Sequence, residues 1–207
     1  MSAQPAITSP IVYIVDDNDG VRETLQLLFE SIDQAVKAFA SAHEFLSAYP
    51  VGQPGCLIAD VRMPGMSGLE LHEEMRRRTI DLPVIFITGY GDIEMAVTAM
   101  KAGAVDFIAK PYKEQELLDR VQKAVSRSIE QRRQSDETGR ARVQLARLTP
   151  RERQVLDLIV AGEPNKRIAH RLELSLKTIE FHRANIMKKL EVRSVAELVK
   201  MAIGGDT

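Results

Sequence analysis

Short apolar runs recur along the first 110 residues, and most end at a polar side chain. Ile11-Val12-Tyr13-Ile14-Val15 closes on Asp16 and Asp17, and Cys56-Leu57-Ile58-Ala59 closes on Asp60. Val84-Ile85-Phe86-Ile87 closes on Thr88, and Asp106-Phe107-Ile108-Ala109 closes on Lys110. Such runs read as strands near 11–16, 35–39, 56–60, 83–88 and 105–109, buried on both faces as in parallel sheets. Helix-length segments fall near 20–32, 42–49, 68–79, 92–102 and from 113 onward. The alternation predicts an α/β fold, a doubly wound five-stranded parallel sheet. Ser41 with Glu44, and Ser67 with Glu70, have capping-box spacing. Pro83 can begin a strand but not occupy its centre.

The pattern then changes. From Tyr112 an apolar stripe runs through Leu117, Val121, Ala124, Val125 and Ile129, after which Glu130–Arg142 holds almost nothing apolar. This predicts a helix that leaves the first domain as an exposed linker, with Gly139 as its stop and a disordered linker as the alternative. Thr149-Pro150-Arg151-Glu152 opens a second module: a threonine cap, proline at the first helical position and a glutamate three residues on. Helices are expected near 150–161, 165–172, 176–190 and 195–203, with Ser194 and Glu197 capping the last. The three-residue turn Glu173-Leu174-Ser175 between the second and third suggests a helix-turn-helix. The expected domains are 9–125, a linker 126–145, and a small all-α domain 146–207.

Composition sharpens this division. The net charge of −1 conceals residues 1–120 with 10 basic and 18 acidic side chains, residues 121–148 with 7 and 3, and residues 149–207 with 11 and 8. An acidic front and a mildly basic back suggest modules with different partners. Cys56 is the only cysteine, which excludes an internal disulfide and a cysteine zinc cluster. No apolar run approaches the ~20 residues of a membrane span. Met1–Pro10 has neither the basic start nor the apolar core of a signal peptide, so a cytoplasmic location is expected.

In open α/β sheets the ligand site lies at the carboxyl ends of the strands. Asp16, Asp17, Asp60, Thr88 and Lys110 are therefore expected to converge. A carboxylate can attack phosphorus. Repulsion from an anionic phosphoryl donor is the obstacle, and Mg²⁺ held by carboxylates relieves it. In this reading Asp16 and Asp17 supply the metal, Asp60 attacks, Lys110 neutralises a phosphate oxygen and Thr88 donates to another. Taken singly, Asp16 and Asp17 would be helix caps, Lys110 a solvated lysine and Thr88 a strand-end hydroxyl.

Together, Asp16-Asp17, Asp60-Val61-Arg62-Met63-Pro64-Gly65, Thr88-Gly89 and Lys110-Pro111 resemble the receiver domain of two-component response regulators over about residues 9–125. The resemblance implies a CheY-like, flavodoxin-like fold and phosphorylation of Asp60 by a sensor histidine kinase. It also implies Mg²⁺ on Asp16, Asp17, Asp60 and the Arg62 carbonyl, and a cis Lys110–Pro111 peptide. It casts Thr88 and Phe107 as the switch, with Phe107 standing where many relatives have tyrosine. Arg62 and Tyr90 sit where relatives tune dephosphorylation.

On a helical wheel of residues 176–190, Ile179, Ile186 and Leu190 share one side. Lys177, Phe181, Ala184, Asn185 and Lys188 share the other, which leaves Phe181 facing solvent. An apolar ring can contact a thymine methyl in the major groove, and lysines suit phosphates. Thr178 and Glu180 lie on the same helix, and Glu180 could accept from cytosine. Asn165, Lys166 and Arg167 open the preceding helix, where backbone amides suit phosphate. The alternative is that Phe181 packs on the linker or the first domain.

Leu148–Glu152, Asn165–Ala169 and Lys177–Leu190 resemble the LuxR-type (NarL/FixJ) DNA-binding domain over about residues 142–205, and the receiver sequence points to the FixJ subgroup. The resemblance implies a phosphorylation-controlled transcription factor, expected to be an activator. Its partners would be promoter DNA, RNA polymerase and a second copy of the chain, paired through Ser194–Ile203. One rival is a DNA-binding regulator indifferent to phosphorylation. Another is a Mg²⁺-dependent aspartyl-phosphate phosphatase, which would need a second acid where this chain has Arg62.

Overall fold

The computed structural model describes residues 9–89, 97, 100, 101 and 103–205. Within the described residues the order is β1 (Ile11–Val15), α1 (Asp19–Glu30), β2 (Val36–Phe39), α2 (Ala42–Ala48), β3 (Gly55–Asp60), α3 (Gly68–Arg77), β4 (Val84–Thr88) and β5 (Asp106–Ala109). It continues with α4 (Glu114–Leu145), α5 (Pro150–Val160), α6 (Asn165–Leu172), α7 (Leu176–Lys189) and α8 (Val195–Gly205). Most of the expected helix near 92–102, and Tyr90, lie outside the described residues; Val97, Met100 and Lys101 are helical. The chain divides into two compact units between Arg132 and Arg133.

In the first unit all strand pairings are parallel, in the order β2-β1-β3-β4-β5. Both sheet faces are covered, which explains why β1, β3 and β4 are runs of buried residues rather than alternating ones. Tyr13, Leu57 and Phe86 meet Phe45 of α2 and Leu71 and Met75 of α3 on one face. Ile14, Ile58 and Ile85 meet Leu25 and Phe29 of α1 and Leu117 and Val121 of α4 on the other. Cys56 is buried on this second side without a partner thiol. The register sets Val15 beside Ala59, Asp60 beside Ile87 and Thr88 beside Ala109, so the polar residues that close the strands share one edge.

The caps formed much as their spacing suggested. Ser67 accepts from the Glu70 N–H while Glu70 accepts from the Ser67 N–H, a complete capping box. At α2 Ser41 accepts from the Glu44 N–H, but Glu44 reaches one residue further back, to Ala40. Thr149 and Glu152 form a second complete box, with Pro150 in the first turn.

Gly139 does not end the linker helix, contrary to the sequence expectation; α4 runs on to Leu145. An internal glycine costs roughly 1 kcal/mol relative to alanine. Burial of Leu145 in the second unit's core contributes about 1.5–3 kcal/mol and offsets that cost. The Arg133–Glu137 pair adds a contact one turn apart across the polar stretch. On the first unit's side, the apolar stripe of α4 is joined to β3 by the buried Ser128 hydroxyl, which accepts from the Gly55 N–H at 3.1 Å.

In the second unit, α5, α6, α7 and α8 enclose Val155, Leu156, Ile168, Ile179, Ile186, Leu190 and Leu198. The turn between α6 and α7 works because Glu173 adopts the left-handed conformation (φ 55°) and Ser175 caps α7 by accepting from the Thr178 N–H at 3.0 Å. Arg151 of α5 donates to the Leu172 carbonyl at 2.6 Å and so holds the end of α6.

Gly68 opens α3 directly under the end of β3. A Cβ there would lie 2.2 Å from the Asp60 carbonyl oxygen and 3.2 Å from the Phe86 ring. Gly68→Ala should therefore destabilise the first unit by about 1–3 kcal/mol or more, as overpacking does. Urea denaturation of the variant beside the parent chain measures it.

Candidate functional site

Three of the five strand ends deliver side chains to one place, and a fourth lends its backbone. Lys110 follows β5, and its N–H donates to the Thr88 carbonyl at 2.7 Å, which fixes its backbone to the end of β4. Its Nζ then lies 3.2 Å from Asp16 Oδ2, after β1, and 3.2 Å from Asp60 Oδ1, at the end of β3. The Lys110–Pro111 peptide is cis. Asp16 is held from two further directions: Oδ1 accepts from the Asn18 N–H at 2.9 Å, and its carbonyl accepts from the Arg22 guanidinium at 2.7 Å. Asp60 Oδ2 accepts from the Arg62 N–H at 2.9 Å. Thr88 is buried at the end of β4.

The electrostatics follow from partial burial. Desolvation pushes the Asp60 carboxyl above its ordinary range, Lys110 pulls it back, and the Asp16 carboxylate pushes it up again. For Lys110 burial pulls downward, but Asp16 and Asp60 outweigh it and hold the ammonium above its usual value. One cation thus serves two carboxylates on separate strands, and one of those carboxylates is a destabilised anion. A further hard cation suits such an all-oxygen donor set.

Asp17 is exposed beside Asp16, and among the described residues no three acid, histidine or cysteine side chains are assembled as a cation cage. Arg62 is exposed in the loop after β3. Phe107 is half-buried in β5, packed against the α2–α3 side of the core. The pattern of apolar runs pointed to Asp16, Asp60 and Lys110, which meet here, and to Thr88, whose carbonyl holds the Lys110 backbone. It missed Asn18 and Arg22, which orient Asp16; the helix-start spacing Asn18–Val21 was the available signal.

The second unit presents a separate surface. Ile179 and Ile186 of α7 are fully buried, whereas Phe181 is 62% exposed, its ring edge-on to His182. Lys177, Glu180, Ala184 and Lys188 are exposed, and Thr178 and Asn185 are half-buried. Arg167 on α6 is exposed and paired with Glu163 at 3.3 Å, while Asn165 is half-buried at the helix start. Behind this surface Lys189 Nζ donates to the buried Glu152 Oε2 at 2.6 Å and so joins α7 to α5. Glu152 had the look of a local cap, and nothing in its spacing pointed to a partner 37 residues away.

Burial pushes the Glu152 carboxyl up, but the Lys189 ammonium and the Thr149 N–H and hydroxyl outweigh it and hold it below the ordinary 4.5. A depressed carboxyl stabilises fully above its unfolded value and loses that contribution as pH falls through the folded value. Glu152→Gln should cost roughly 1.5–3 kcal/mol at neutral pH. The gap to the parent should close below pH 4.5, as thermal melts at several pH values would record.

Comparison with known proteins matches both units. Residues 12–122 match the response regulator receiver domain, and residues 146–202 match the luxR family of bacterial regulatory proteins. The chain is 45% identical to the transcriptional regulatory protein FixJ of Azorhizobium caulinodans, over 93% of this chain and 91% of that one. It is 43% identical to FixJ of Rhizobium meliloti, over 96% and 98%. A low-resolution structure of the response regulator StyR superposes with a TM-score of 0.85 at 43% identity, covering 94% of this chain and 98% of that one.

Proposed function

The chain belongs to the two-component response regulators that join a receiver domain to a LuxR-type DNA-binding domain and control transcription, and from that premise we propose that Asp60 is the phosphoacceptor and α7 the groove-reading helix. The observation that carries the first half is the shared ammonium: Lys110 lies 3.2 Å from both Asp16 and Asp60. Asp60 would attack the phosphorus of a phosphohistidine on the sensor kinase, and the P–N bond to that histidine would break. Asp16, Asp17 and Asp60, with the Arg62 carbonyl, would hold Mg²⁺, which supplies charge neutralisation to the phosphoryl group.

Lys110 would pair with one phosphoryl oxygen and the Thr88 hydroxyl would donate to another. Phe107 has no hydroxyl, so its part in the switch would run through packing alone. The modification would shift an equilibrium between states that already exist, which leaves the unphosphorylated protein some activity. Arg62 stands two residues after Asp60, where a phosphatase would need an acid, and this favours a regulator over an enzyme.

In the second unit, exposed Phe181 supports major-groove binding, with Ala184, Asn185, Thr178 and Glu180 beside it. Lys177, Lys188, Arg167 and the start of α6 at Asn165 would meet phosphates. α8 would pair two copies on promoter DNA, and RNA polymerase would be the further partner of an activator. The described helices include none long and apolar enough to cross a membrane, and a promoter target fits a cytoplasmic protein. We take 9–125, 126–145 and 146–207 as the working domains.

Two experiments test these readings. Asp60→Asn should take up no phosphoryl group from a small acyl phosphate with Mg²⁺, as intact-protein mass spectrometry would record, and its promoter response should fall to the unphosphorylated level. An unchanged promoter response would favour the phosphorylation-independent rival. Phe181→Ala should weaken specific DNA binding about tenfold, on the order of 1.4 kcal/mol, whereas Lys188→Ala should weaken all sequences alike and lower the salt slope by about 1.

A further inference from the structure

At the end of the sheet opposite the Lys110 centre, where α3 finishes and β4 and β5 begin, the first unit opens a cleft of about 370 Å³. That is within the range of small-molecule sites, roughly 300–1,000 Å³. Three cationic side chains reach it from separate segments: Arg76 from α3, Lys101 from the segment before β5 and Arg127 from α4. Among the described residues Asp81 is the only acid in its lining.

Lys101 and Arg127 differ from the arginines on the helix surface next to the cleft. There Arg77 and Arg78 pair with Glu73 and Glu74 one turn away. No comparable ion pair involves Lys101 or Arg127 among the described residues. Like charges brought together from separate segments repel one another, and an anion between Lys101 and Arg127 would relieve this.

A buried imidazole lines the same cleft and can report on its contents. His72 lines the cleft and is itself 7% exposed, with its ring edge-on to Phe86 at 5.9 Å. Its Nδ1 is sealed and has no hydrogen-bond partner among the described residues. Buried polar atoms without partners are rare in native proteins and call for an explanation. A sealed Nδ1 is best left as a bare lone pair, which places the ring proton on Nε2 as a donor.

We infer that the cleft formed by His72, Arg76, Lys101 and Arg127 is a binding site for a compact polyanion carrying two or more phosphate or carboxylate groups. Cations on opposed walls suit two separated anionic groups better than one, and guanidinium forks bind phosphate or carboxylate in two-pronged fashion. The occupant would bridge α3 and α4, the helix that continues into the second unit. The site is independent of Asp60 chemistry, so either can fail without the other.

The test uses the full chain and the ring resonances of its four histidines, followed by NMR during titration with inorganic pyrophosphate and, separately, citrate. His43 on α2 reports effects on the first unit outside the cleft; His170 and His182 report binding at the DNA-reading surface. The expected result is a saturable shift of His72 with one or both probes, weakened at least tenfold in Arg76→Ala/Arg127→Ala. The tighter probe identifies phosphate or carboxylate as the source chemistry. Both substituted side chains are exposed, and a thermal melt of the double variant beside the parent chain shows that it is folded. No saturable response at His72 with either probe, or an undiminished response in the double variant, overturns the inference.

Discussion

The first unit depends on one ammonium between two carboxylates. Lys110 contacts Asp16 and Asp60 equally, at 3.2 Å each. At the effective dielectric near a protein surface, a unit charge pair at 4 Å interacts by about 4 kcal/mol, so two facing carboxylates without the cation would oppose closure of the strand ends. The arrangement exists only if β1 lies next to β3, and if β5 ends beside β4 with Lys110 tied to the Thr88 carbonyl. Sheet order and site chemistry are thus one constraint, and an altered order would separate the charges.

Much of this was legible in the sequence because the signals were local or periodic. The runs Ile11–Val15 and 84–87 are apolar at every position because both sheet faces are covered, and a polar residue stands where each run emerges. The helix caps at Ser67 and Thr149 depend on spacings of three, which any reader can count. Phe181 was legible as an exposed ring because Ile179 and Ile186 claimed the opposite face of α7.

What escaped was non-local. The Glu152–Lys189 pair joins helices far apart in sequence, and the buried Ser128 hydroxyl meets a backbone N–H 73 residues away. Gly139 misled because a helix-breaking propensity near 1 kcal/mol is smaller than the burial gained further along the same helix. Arg22 of α1 donates to the carbonyl of Asp16, an acceptor that no spacing rule announces. Tertiary partners decided each of these, and none leaves a mark on the neighbouring residues.

The lone thiol has a practical corollary. Cys56 sits wholly inside the sheet, and burial drives its thiol far above the ordinary value, so the reactive thiolate is scarce. Maleimide and disulfide reagents should find no thiol to attack in the native protein, which keeps cysteine oxidation out of the signalling chemistry. A cysteine engineered anywhere on the surface would be the sole accessible handle for a dye or spin label, with no need to remove the native one.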